Sequence, residues 1–127
     1  LFTNKDSSDV GDFASELHIF YADELDSTSW KSHPKNPVIF DSKKARNGGK
    51  ILSDDNHLYR VFQKHDFDQY GASLGISKIK ILTEKEYQEE IFINLLPDFD
   101  EKILGIHNFT FDTDIIANDF AVYKKKR

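Results

Sequence analysis

Six side chains in the middle of the chain have the types and spacing to hold a polar ligand: His33, Asn36, Arg46, Arg60, Gln63 and Tyr70. Arg46 and Arg60 carry planar guanidinium forks, which suit a carboxylate, a phosphate or vicinal sugar hydroxyls. Arg46 stands directly before Asn47-Gly48-Gly49, where absent side chains let a ligand or another strand approach the backbone. Its competing use is a strand-tying pair with Asp41. Arg60 and Gln63 alternate with Tyr59 and Phe62, so a shared face with the Arg46 segment is open to them. Buried polar groups need partners, and structural satisfaction is the alternative for both. Tyr70, before Gly71, offers a ring that matches the apolar face of a pyranose or packs in the ordinary way. His33 and Asn36 lie in His33-Pro34-Lys35-Asn36-Pro37, where two prolines hold the backbone extended. A stiff polar loop loses less entropy on binding, although a histidine near Trp30 also serves a purely structural role.

Other chemistries fit less well. The carboxylate pairs Asp54-Asp55, Asp66 with Asp68, and Asp112 with Asp114 all fall in predicted turns. Glycoside hydrolysis needs two carboxyls roughly 5–10 Å apart across a sugar, and a turn-borne pair normally serves the turn. The 5 histidines lack metal-ligand spacing, so neither a metal nor a cofactor is expected. With no cysteine there is neither a disulfide framework nor a thiolate site, which fits a reducing compartment and a cytoplasmic location. A net charge of −5 argues against a nucleic-acid surface, and the basic run Lys124-Lys125-Lys126-Arg127 reads as a solvated end. No stretch approaches the ~20 apolar residues of a membrane span, and none resembles a signal peptide.

The elements that must position these residues are strands. Leu17-His18-Ile19-Phe20-Tyr21-Ala22 is bulky and aromatic, with the character of a buried strand. A short strand is expected at Val38–Asp41. The turn signals at Ser53–Asn56 and Lys64–Gly71 predict that Ala45–Leu52, His57–Gln63 and Ala72–Thr83 are consecutive antiparallel strands of one sheet. A slip in the alternation near Ser77 predicts a bulge. Thr83-Glu84-Lys85-Glu86 has the form of a capping box, but a short turn followed by a strand is the favoured reading. Ile103–Phe111 and Ile115–Tyr123 surround the turn residues Asp112-Thr113-Asp114. About eight or nine strands roughly ten residues apart, with no long helix, indicate a sandwich, barrel or propeller. The 127 residues suffice for one small domain. The opening Leu1-Phe2-Thr3-Asn4, without an initiator methionine, reads as a strand end within a longer protein.

One order of residues is more specific than any element in it: Trp30, His33-Pro34, Asn36-Pro37-Val38, Asp41, Ala45-Arg46 with Gly49, Leu58-Tyr59-Arg60, Gln63, Tyr70-Gly71, Ile79, Leu82-Thr83, and Tyr87 with Glu89. It resembles a domain of plant glucosamine inositolphosphorylceramide transferases and of bacterial surface-polysaccharide proteins, with a fainter echo at Gly105-Ile106-His107 and Asp119. The resemblance implies an all-β, antiparallel, five-bladed β-propeller, distantly similar to propeller glycoside hydrolases. The chain would be its C-terminal part, with residues 1–41 ending one blade and 42–127 forming the final blade and closing strands. An incomplete blade implies an exposed edge or broad apolar face beside residues 1–22, met by the missing blades or by another chain. The implied function is carbohydrate or nucleotide-sugar binding in surface-glycan or polysaccharide biosynthesis. The alternative is a non-catalytic glycan- or protein-binding module serving a fused or partner transferase. The acidic residues of propeller glycosidases lie largely on blades this chain lacks, so no catalytic role carries over. The chain departs from the family at Asn47, where proline is common. Arg46, Arg60, Gln63 and Tyr70 are expected to converge on one central pocket.

Overall fold

A computed structural model describes residues 1–66 and 69–122, the side chains of Gln69 and Tyr70 excepted. The described residues form ten strands in three antiparallel sheets, with no helix. None of the described elements is therefore a helix long and apolar enough to cross a membrane.

The first sheet is built on β2 (Glu16–Tyr21), whose Leu17 and Ile19 are buried. On one edge lies β1 (Phe2–Asn4). On the other, β3 (Lys31–Ser32) pairs with Phe20 and Tyr21, and β4 (Ile39–Phe40) pairs with Glu16 and Leu17. The proline-bracketed loop spans the gap between β3 and β4. Asn36 fills that gap, accepting a hydrogen bond from Ile19 N–H at 2.8 Å through Oδ1 and donating to Ile19 C=O at 2.7 Å through Nδ2. A side-chain amide thus supplies the pairing that a missing strand residue would have made.

The second sheet is a meander of β5 (Leu52–Ser53), β6 (Leu58–Asp66), β7 (Gln69–Leu82) and β8 (Tyr87–Leu95). Its turns follow from local chemistry. Asp54 accepts the N–H groups of Asn56 and His57, and these bonds, the Asn56 N–H first, lower its carboxyl pKa to about 2. Thr83 Oγ1 accepts the N–H groups of Lys85 and Glu86, while Thr83 N–H donates to Glu86 C=O. The cap therefore closes a tight turn, and the strand resumes at Tyr87. The bulge expected near Ser77 is present as a register shift between Ile76 and Ser77.

The third sheet is the hairpin β9 (Ile103–Asp112) and β10 (Ile115–Val122), which packs on β7. The core sits between them: Val61, Leu74 and Ile106, flanked by Leu52, Ile76, Leu95 and Phe109.

One expectation changes. Ala45–Leu52 is not a full strand; only Leu52–Ser53 is, although Asn47 bridges to Phe62 and Gln63 N–H donates to Arg46 C=O. The reason is that β9 captures the glycine pair: Phe109 N–H donates to Gly48 C=O at 2.8 Å. A Cβ on Gly49 would lie 2.0 Å from Phe109 O, so only glycine permits this approach. Beside residues 1–22, β1 is an edge strand and Leu1, Val10 and Phe13 are exposed; a further set of exposed apolar side chains, Ile91, Phe92, Phe111, Ile115, Ile116 and Phe120, lies on β8 to β10. The sheets are all-β and antiparallel as expected, and none closes on itself.

Candidate functional site

Arg60 occupies the middle of β6 and is fully buried. Its register partner on β7 is the small, buried Ser77, which leaves room for the guanidinium to cross β7 toward β8. There it meets Glu89: Nε and Nη2 donate to the two carboxylate oxygens at 2.8 and 2.7 Å. The remaining N–H groups go to Lys44 C=O, Ala45 C=O and Asn47 Oδ1. Burial alone would raise the Glu89 carboxyl, but the Arg60 fork outweighs it and holds the pKa below the ordinary value. The Tyr87 hydroxyl also donates to Glu89, and burial with the adjacent carboxylate pushes the Tyr87 pKa upward. All five Arg60 donors are thus used inside the protein, as a clamp joining β6, β8 and the segment before Asn47. This is the internal satisfaction that the sequence offers as the alternative to ligand binding for Arg60.

His33 and Asn36 are also engaged internally. His33 is buried, with Nδ1 accepting from Lys35 N–H at 3.1 Å and Nε2 without a hydrogen-bond partner among the described residues. Asn36 is held by Ile19 and Ser32. Both belong to the first sheet, and neither lines the cleft described below.

Beside them is a buried cluster not singled out in the sequence. Glu16 accepts from Ser7 N–H, Ser8 N–H and the Ser7 hydroxyl, the last at 2.5 Å, and contacts His18 Nε2 at 2.7 Å. The Ser7 hydroxyl foremost drives its pKa well down. Serine, histidine and glutamate meet here, but not as a nucleophilic triad. Both Ser7 and Glu16 contact the same ring nitrogen, Nε2, and Ser7 bonds directly to Glu16. The cluster pins the 5–14 loop to β2.

The remaining polar groups gather where the glycine segment, β6 and the β9–β10 hairpin meet. A cleft of about 340 Å³ is lined by Asn47, Gly48, Gly49, Gln63, His107, Asn108 and Asp119. Gln63 is 8% exposed; its Nε2 donates to His107 C=O at 2.7 Å, and its Oε1 has no hydrogen-bond partner among the described residues. Asp119 stands at a register shift in β10, a bulge of the kind that re-aims a side chain.

Arg46 lies next to this cleft. Its Nη1 donates to Phe13 C=O at 3.3 Å. Burial lowers the pKa of nearby His65, and the charges of Arg46 and His107 add to that effect while Asp12 opposes it. Gly71, at φ 64°, packs against His107, whose ring occupies the space a Cβ would need. Arg46 and Gln63 are therefore brought to one region, through His65 and His107. The Tyr70 side chain falls outside the described residues, as do Asp68 and the 123–127 tail. Among the described residues, no group of three or more His, Asp or Glu side chains is placed to hold a metal ion.

The comparisons with known proteins bear on the whole arrangement. The family described as "Glucosamine inositolphosphorylceramide transferase 1, N-terminal" matches residues 1–108. The chain belongs to this family. Among curated proteins it is similar to glucosamine inositolphosphorylceramide transferase 1 of Arabidopsis thaliana, 42% identical over 77 residues, covering 58% of this chain and 10% of that protein. The proteins of that name from Oryza sativa subspecies japonica and indica are each 35% identical over 77 residues, covering 59% of this chain and 10% of theirs. The aligned stretch is thus about a tenth of the length of the curated relatives. No solved structure matches significantly. The Asn47 N–H donates to Asn4 Oδ1 at 3.0 Å, a bond proline could not make at this position.

Proposed function

We propose that this domain serves glycan synthesis by holding a carbohydrate or nucleotide-sugar in the cleft between the glycine segment and the β9–β10 hairpin. Family membership supports the glycan context, since the relatives are named as transferases of glucosamine inositolphosphorylceramide. The observation that carries the site is Gln63: a nine-tenths-buried amide on the cleft wall with an oxygen unmet among the described residues. Leaving such an acceptor unpaired costs about 1–3 kcal/mol, a cost that a donor-bearing ligand removes. Arg46 comes just before Asn47 in the chain but directs its Nη1 to Phe13 C=O, outside the cleft lining.

Binding rather than bond cleavage is the role assigned, because the buried carboxylates Glu16 and Glu89 are consumed by internal partners. The test is a cleft-filling substitution. Asn108 is exposed, so Asn108→Trp in the intact protein should abolish glycan or nucleotide-sugar binding while leaving the melting temperature nearly unchanged. Undiminished binding in a folded Asn108→Trp protein would place the ligand elsewhere.

A further inference from the structure

Resting on that carbohydrate reading, we propose that the cleft takes a phosphate-free glycosyl unit, gripped through its hydroxyl or amine donors, and rejects the diphosphate of a nucleotide-sugar. The lining contains one carboxylate, three side-chain amides and a histidine, and no lysine or arginine. Phosphate sites are built from guanidinium forks, ammonium groups or unspent backbone N–H groups. Here the Gly48 N–H is spent on Val61 C=O, and the five donors of Arg60 are spent inside the sheet. Arg46 directs Nη1 toward Phe13 C=O. Lys50, next in sequence to the glycines, lies 3.8 Å from the Asp112 carboxylate.

What the cleft does offer is the Asp119 carboxylate, the Asn108 amide, the Gln63 oxygen, His107, and the Asn47 amide, whose oxygen already accepts from Arg60. A carboxylate accepts a hydrogen bond from a hydroxyl well and from an ammonium group better, and it repels a phosphate at short range. The Gln63 oxygen is sealed from solvent, so a ligand reaches it by a rotation of that amide. An aminohexose supplies both kinds of donor and no anion.

Calorimetric titration of the intact protein with glucosamine, glucose, inorganic phosphate and uridine diphosphate tests this, at a pH that keeps the amine protonated. Both sugars should bind, glucosamine about tenfold tighter, and neither phosphate nor the diphosphate should compete. Asp119→Asn should weaken glucosamine binding about tenfold more than glucose binding, so that the preference disappears while the melting temperature is kept. Competition by phosphate or by the diphosphate overturns the inference and leaves the carbohydrate reading standing. So does a glucosamine preference that survives Asp119→Asn. Failure of every sugar to bind overturns the carbohydrate reading itself, and the inference with it.

Discussion

Two arginines that look equivalent in sequence have opposite fates in the fold. Arg60 is fully buried and consumes Glu89, whereas Arg46 is half-buried beside His65 at the edge of the polar cleft. Removing one partner of a buried pair leaves the other charge unmet, at a cost of about 3–5 kcal/mol. Arg60→Met should therefore lower the unfolding free energy by that amount in denaturant titrations of the intact protein. Arg46→Ala, which removes a half-buried side chain with a 3.3 Å bond to Phe13 C=O, should instead cost little stability in the same titrations. The Glu89 carboxyl also sets a pH dependence. Its pKa is lowered on folding from the ordinary value of 4.5, so its contribution is complete above that value and lost as pH falls through the folded value. Glu16 acts in the same direction. Melting temperature should be level above about pH 5 and fall below about pH 4, more gently in Glu89→Gln. An equal acid slope in that variant would mean Glu89 is not a source of it.

At the scale of elements, the turns were the legible part of the sequence. Asp54, Thr83 and Asp112 each bond backbone or side-chain groups within three residues, so their chemistry shows in a short window. The resumed strand at Tyr87 and the bulge at Ser77 were read the same way. The far wall of the cleft was not legible as a site, because His107, Asn108 and Asp119 reach it only through packing of the β9–β10 hairpin on the glycine segment. Only the family resemblance had marked His107 and Asp119. The role of Arg60 was hidden for the same reason, since Glu89 lies on a strand beyond its immediate neighbour. The contact that shapes the cleft is itself testable. Gly49→Ala drives a methyl against Phe109 O and should destabilise by about 1–3 kcal/mol, the usual range for overpacking. A neutral effect would show that the hairpin does not sit that close.

For the whole molecule, the two four-stranded sheets are tied by few contacts. Asn4 joins Glu16 C=O to Ala45 C=O, Lys35 pairs with Glu86 at 2.6 Å, and Phe2 meets Tyr87 edge-on. Ile91, Phe92, Phe111, Ile115, Ile116 and Phe120 are all exposed on β8 to β10, and exposed apolar side chains gathered on neighbouring strands mark interaction surfaces. The 127-residue chain alone should consequently associate or bind a hydrophobic dye, as read by light scattering and fluorescence. A monodisperse, dye-silent chain would show that the hairpin face is covered in some other way. The central claim concerns the cleft, and the most direct measurement is a crystal structure of the intact protein with glucosamine bound. The sugar should lie between Asn47–Gly49 and His107–Asn108, with a donor on Asp119 and the Gln63 amide turned to meet it. Sugar found instead against Trp30 and Tyr21, with the cleft empty, would contradict the account.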